Sequence, residues 1–194
     1  MSIEYIENIV NQIGNLFQEL EYQIEKNKLE KVEIDFPKGV IRTADFYRSR
    51  LTFISDEVLK TNIAYHLMLS DVYRWILNRF KIYLVAKEML IKEGISLFGN
   101  ILEAVLLHTA KLLKPDKEKI GFSKACTILV EEGIISKEMK KELEWVWSMR
   151  CKEHLASLPE REYGKYKLED YNRTVLIWQS LEEKLRDAKQ HGKI

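Results

Sequence analysis

The chain has 194 residues, is 46% hydrophobic and contains only 8 Gly and 3 Pro, an ordinary globular composition that favours long helices joined by short connections. Its 31 Lys and Arg against 30 Asp and Glu leave a formal charge of +1, so the protein as a whole does not advertise a polyanion partner. From Ser136 onward the balance is 13 basic to 11 acidic residues, so any nucleic-acid role must rest on local chemistry.

All-α is the expected fold class. No segment approaches the roughly 20 apolar residues of a membrane span, and MSIEYIENIVNQ lacks the basic start and unbroken apolar run of a signal peptide. A cytoplasmic location is expected, with no membrane partner. Cys126 and Cys151 have no zinc-type spacing around them and read as reduced thiols, so neither a metal nor a cofactor is expected.

Taken in chain order, Ile3, Ile6, Val10, Ile13, Phe17, Leu20 and Ile24 recur in steps of three and four and predict a long helix with a narrow apolar seam. That seam needs a helical partner, in the same chain or another. Val32, Ile34 and Phe36 then alternate with charged residues before Pro37 and Gly39, which predicts a short hairpin or extended arm. Two helices follow, one over about Asp56 to Leu69 with Ser55 as its N-cap and one from about Asp71 to Glu93, with Gly94 as the stop. Val72, Ile76, Phe80, Tyr83, Leu84, Leu90 and Ile91 share the apolar face of the second, interrupted by Lys87.

A helix over Leu97 to Leu113 carries Leu97, Ile101, Leu102, Val105 and Leu106 on its main face, with Asn100, Glu103, Leu107 and Ala110 on a mixed one. Next come a short helix opened by Ser123 and closed by Gly133, a helix capped by Ser136, and a final helix from about Leu168. On the last, Tyr171, Thr174, Trp178, Leu181, Leu185 and Ala188 form a seam. The expected division is an N-terminal region over residues 1–93, with the long helix, the arm and further helices, followed by a helical domain over 94–194.

The helix expected over Met139 to Leu155 raises a chemical question. At about 100° per residue, Met139, Leu143, Val146, Trp147 and Cys151 fall within about 120° of arc, and Arg150 and His154 fall inside the same stripe. An arginine buried without a partner costs several kcal/mol, so either a carboxylate such as Glu103 meets it or the stripe ends in a cleft or subunit interface. Residues four apart stack on one face, and a guanidinium beside an imidazole favours its neutral form, able to act as a base near pH 7. Trp145 and Met149 lie away from Leu143, so this helix is expected to be sandwiched. His108 reads as a satisfied core histidine and His66 as a core or boundary residue.

From Ser96 onward the order of elements resembles the HEPN family of small helical domains. It runs SLFGNILEAVLLHTAKLL with an internal glutamate, FSKACTILVEEGIIS, a helix ending SMRCKEHL, the charged loop PEREYGKYKLEDY and a long last helix. The family signature, an arginine followed after four to six residues by a histidine, closes the third of these. The resemblance implies a helical bundle active as a homodimer, cleaving RNA without metal through Arg150 and His154, with Glu103 and Cys151 as supporting residues. It further implies a toxin or antiviral effector with a protein antitoxin or regulatory partner. Only three residues separate Arg150 from His154, and Cys151 stands where active members commonly carry a polar residue. Those departures define the alternative, a HEPN-like module that no longer cleaves and serves protein interaction or nucleic-acid binding.

Overall fold

The computed structural model describes residues 2–151 and 164–194. Among the described residues there are seven helices and no strand. In order these are α1 (Ile3–Asn27), α2 (Ala44–Arg50), α3 (Glu57–Arg79), α4 (Leu84–Leu113), α5 (Phe122–Glu131), α6 (Lys137–Arg150) and α7 (Leu168–Gln190). The all-α expectation therefore stands, and none of these helices is long and apolar enough to cross a membrane.

The chain divides into two compact units, Met1–Lys38 and Gly39–Ile194. The first holds α1 and an irregular segment. Ser2 caps α1 by accepting from the Tyr5 N–H, and Lys28 closes it in the left-handed conformation. No residue of α1 is buried, and its unit contains no second helix to cover the Ile3 to Ile24 seam. The alternating run 31–37 makes no ladder, so the hairpin alternative is corrected to an irregular arm. One short alternating segment with no neighbouring strand has nothing to pair with.

The second unit is built around α4, which packs against α3, α5, α6 and α7. From Ile91 to Phe98 nearly every position of α4 is buried, as expected of a helix enclosed on all sides. The expected stop at Gly94 is absent, and α4 runs unbroken through it. Gly94 instead allows close packing: a β-carbon there would lie 2.8 Å from a ring carbon of Tyr171 on α7.

The expected helix break before Asp71 is also corrected, because α3 continues to Arg79. Ser70 and Asp71 resemble a cap in sequence, but the Ser70 hydroxyl donates to the Leu67 carbonyl and Asp71 turns to two arginines. The α3 N-cap is Asp56, which accepts from the N–H groups of Val58 and Leu59, and not Ser55. Gly121, and not Ser123, occupies the N-cap of α5, while Gly133 at φ +64° ends that segment as expected. Ser136 caps α6 by accepting from Met139, and all six expected seam residues of α7 are buried.

Candidate functional site

The last turn of α6 lies against α4. Gly99 makes this approach possible, since a β-carbon there would meet both Cβ and Cγ of Arg150 at 2.8 Å. Asn100 and Glu103, three apart on α4, share the face that receives the arginine. Arg150 Nε donates to Asn100 Oδ1 at 3.1 Å, and Nη2 lies 3.7 Å from Glu103 Oε2. The guanidinium also covers the Trp147 ring at 4.8 Å, and Trp147 stacks on Phe122 with centroids 4.5 Å apart. Three elements thus fix one cation: α4 through polar groups, α6 through its own indole, and α5 through the ring beneath it.

The Arg150 and Glu103 side chains are 26% and 32% exposed, so this pair sits at the edge of the core and solvent screens it. The sequence-based stripe is therefore buried along Met139, Leu143 and Val146, half-buried at Trp147 and Arg150, and exposed at Cys151. Placing Cys151 on the buried stripe is corrected: the α-helix ends at Arg150, and Cys151 has 3-10 geometry. His154 lies outside the described residues, as do the first five residues of the charged loop, its first tyrosine among them. The helical register that would stack Arg150 on His154 extends past the last residue of α6.

The sandwiching expected of α6 is present. Met149 is buried, and Trp145 lies under the Arg173 guanidinium of α7 at 4.0 Å, with Arg173 also pairing with Glu142 through two 2.8 Å hydrogen bonds. His108 is half-buried, and its Nε2 accepts from the Ser55 N–H at 3.3 Å, which fixes the proton on Nδ1 in that contact. Burial lowers its pKa, against a smaller upward pull from Asp56. His66 is exposed, a correction to the core or boundary reading, with Nδ1 2.9 Å from the Asn62 carbonyl. Among the described residues no three His, Cys, Asp or Glu side chains gather as a metal-ligand set.

No family model, curated protein or solved structure matches this chain. The geometry around Arg150 is accordingly the basis for a functional reading.

Sequence reasoning missed two things. The first is the role of Gly99 and Asn100, whose only signal is their spacing from Glu103 on one helix face. The second is a polar network in which Arg42 and Arg74 converge on Asp71 while Arg50 pairs with Glu182. Arg42 lies 29 positions from Asp71, and Arg50 lies 132 from Glu182, so no local pattern could reveal either pair.

Proposed function

We propose that this chain is a metal-independent endoribonuclease of HEPN type, working as a homodimer, with Arg150 and His154 as the catalytic pair. The observation that supports the reading is the held guanidinium of Arg150: Asn100, Glu103 and Trp147 set its orientation at the edge of the core. A preorganised cation is what a developing phosphorane charge requires. In this scheme the His154 imidazole takes the proton of an RNA 2′-hydroxyl, the 2′-oxygen attacks phosphorus, and the bond to the 5′-oxygen breaks. The partner subunit's His154 returns a proton to the leaving 5′-oxygen. One histidine cannot serve as base and acid at the same moment, which gives two chains a reason to share one site. Such an enzyme fits a toxin or antiviral effector held in check by a protein antitoxin or regulatory partner in the cytoplasm.

A second reading, a HEPN-like module without cleavage, draws support from the Glu103 carboxylate beside Arg150 and from Cys151 at the position next to it. There the arginine is a structural pin between α4 and α6.

The deciding experiment incubates purified full-length protein with mixed RNAs in EDTA, beside His154→Ala and Arg150→Ala. The ribonuclease reading expects 2′,3′-cyclic phosphate and 5′-hydroxyl ends from the wild type and from neither variant. Equal cleavage by wild type and His154→Ala, or none by any, removes it.

A further inference from the structure

We propose that a cleft where α2, α3 and α7 meet over α4 is a phosphate-binding site built on Arg42, Arg50, Arg74 and Tyr47. It is separate from the Arg150 site and does not depend on the ribonuclease reading.

The cleft holds a cavity of about 90 Å³, room for several waters or for a phosphate group. Two buried carboxylates reach it, and both are already engaged. Asp71, 1% exposed, accepts from the Arg42 backbone N–H at 2.9 Å, from Arg42 Nε and Nη2, and from Arg74 Nη2 at 3.2 Å. Glu182, 4% exposed, accepts from Arg50 Nε at 2.7 Å and Nη2 at 3.0 Å.

Donors remain. Nη1 of Arg42 and of Arg50, and Nε and Nη1 of Arg74, take part in none of these bonds. The Tyr47 hydroxyl is buried, lies near Asp71 and makes no aligned hydrogen bond. Burial, reinforced by that carboxylate, raises its pKa strongly, so it stays protonated and able to donate. Three guanidiniums against two carboxylates also leave one surplus positive charge. A cavity whose two carboxylates are both paired with arginine, with donors to spare and surplus positive charge, suits an acceptor-rich anion, and planar guanidiniums match phosphate oxygens. A water molecule would satisfy Tyr47 but would leave the charge uncompensated.

Free inorganic phosphate and the terminal phosphate of a larger molecule share this chemistry, and calorimetric titration of the full chain at low salt separates them. Inorganic phosphate and adenosine 5′-monophosphate are the two titrants, and binding of either supports the site. Tighter binding of the nucleotide marks a larger ligand whose body leaves through the open mouth. Arg74→Gln removes a half-exposed cation without touching the Arg42 to Asp71 and Arg50 to Glu182 pairs, so this variant keeps its fold. Arg74→Gln and Tyr47→Phe are each expected to weaken binding about tenfold. No heat with either titrant at millimolar concentration, or binding that Arg74→Gln leaves unchanged, overturns the proposal.

Discussion

Arg150 occupies the space that a side chain on Gly99 would fill, with only 2.8 Å between a β-carbon built there and the arginine Cβ. Because Cβ is fixed to the α6 backbone, a Gly99→Ala substitution cannot be absorbed by a rotamer change, and the two helices must separate. The clash outweighs the helix preference of alanine, and a loss of about 1–3 kcal/mol in urea unfolding is expected. Gly14→Ala should act in the opposite direction. Nothing lies within 4 Å of a β-carbon on Gly14, and alanine in a helix interior is better by about 1 kcal/mol. Equal effects from the two substitutions would contradict the close approach of α6 to α4.

Glu103→Gln tests whether the carboxylate beside Arg150 supports chemistry or only packing. The pair is partly exposed at 3.7 Å, so its removal should change stability by less than about 1 kcal/mol. If Glu103 orients the guanidinium for the ribonuclease reaction, kcat for RNA cleavage falls about tenfold while KM holds. Wild-type turnover by Glu103→Gln would leave the glutamate as a packing residue.

The two cysteines should differ sharply toward a thiol reagent. Cys126 is fully buried, and burial pushes its thiol pKa up to about 12, so it is shielded and protonated. Cys151 is exposed at the end of α6. Native protein should therefore release one equivalent of thionitrobenzoate rapidly and the second only on unfolding. Cys151→Ser should abolish the fast phase. Two fast equivalents would place Cys126 outside the core.

Periodicity made the helices legible wherever apolar spacing and an end signal agreed. Ser136, Gly133 and the Tyr171 to Ala188 seam each carry one residue type in one role, and each appears as expected. The reading failed where one residue type serves two roles. Gly94 resembles a helix stop and is a contact with Tyr171, while Asp71 resembles a cap and is an arginine partner. Around the candidate site, the Glu103 and Arg150 pairing was legible, because Arg150 interrupts an apolar stripe and Glu103 offers a carboxylate on the mixed face of another helix. Cys151 was misplaced because a helical wheel assumes a helix that continues. The cleft over Asp71 left no trace, since pairing across 29 and 132 positions has no period.

His108 gives the protein a stability slope in mildly acidic solution. Burial lowers its pKa below the ordinary 6.5, with Asp56 opposing more weakly. The unfolded chain therefore binds the proton first. The contribution of neutral His108 is complete above pH 6.5 and declines as pH falls through the lower folded value, by at most about 1.4 kcal/mol per pH unit. His108→Gln should flatten the dependence of urea midpoint on pH below 6.5. An unchanged slope would show that other groups carry it.

Asp71 sets a second slope at lower pH. Its burial opposes ionisation, but hydrogen bonds from the Arg42 side chain and backbone hold the carboxyl below its ordinary 3.8. A depressed folded pKa means that the unfolded chain takes up the proton first as acid is added. The stabilisation is thus fully present above pH 3.8 and is lost as pH falls through the folded value. Asp71→Asn leaves Arg42 and Arg74 facing a neutral amide, and at pH 7 it should cost about 3 kcal/mol, the usual penalty for breaking a buried pair from one side. The difference between wild type and Asp71→Asn in chemical unfolding should shrink as pH drops below 3.8, because protonation removes the same charge from the wild type. A gap that stays constant into acid would mean that the Asp71 charge is not what ties Arg42 to α3.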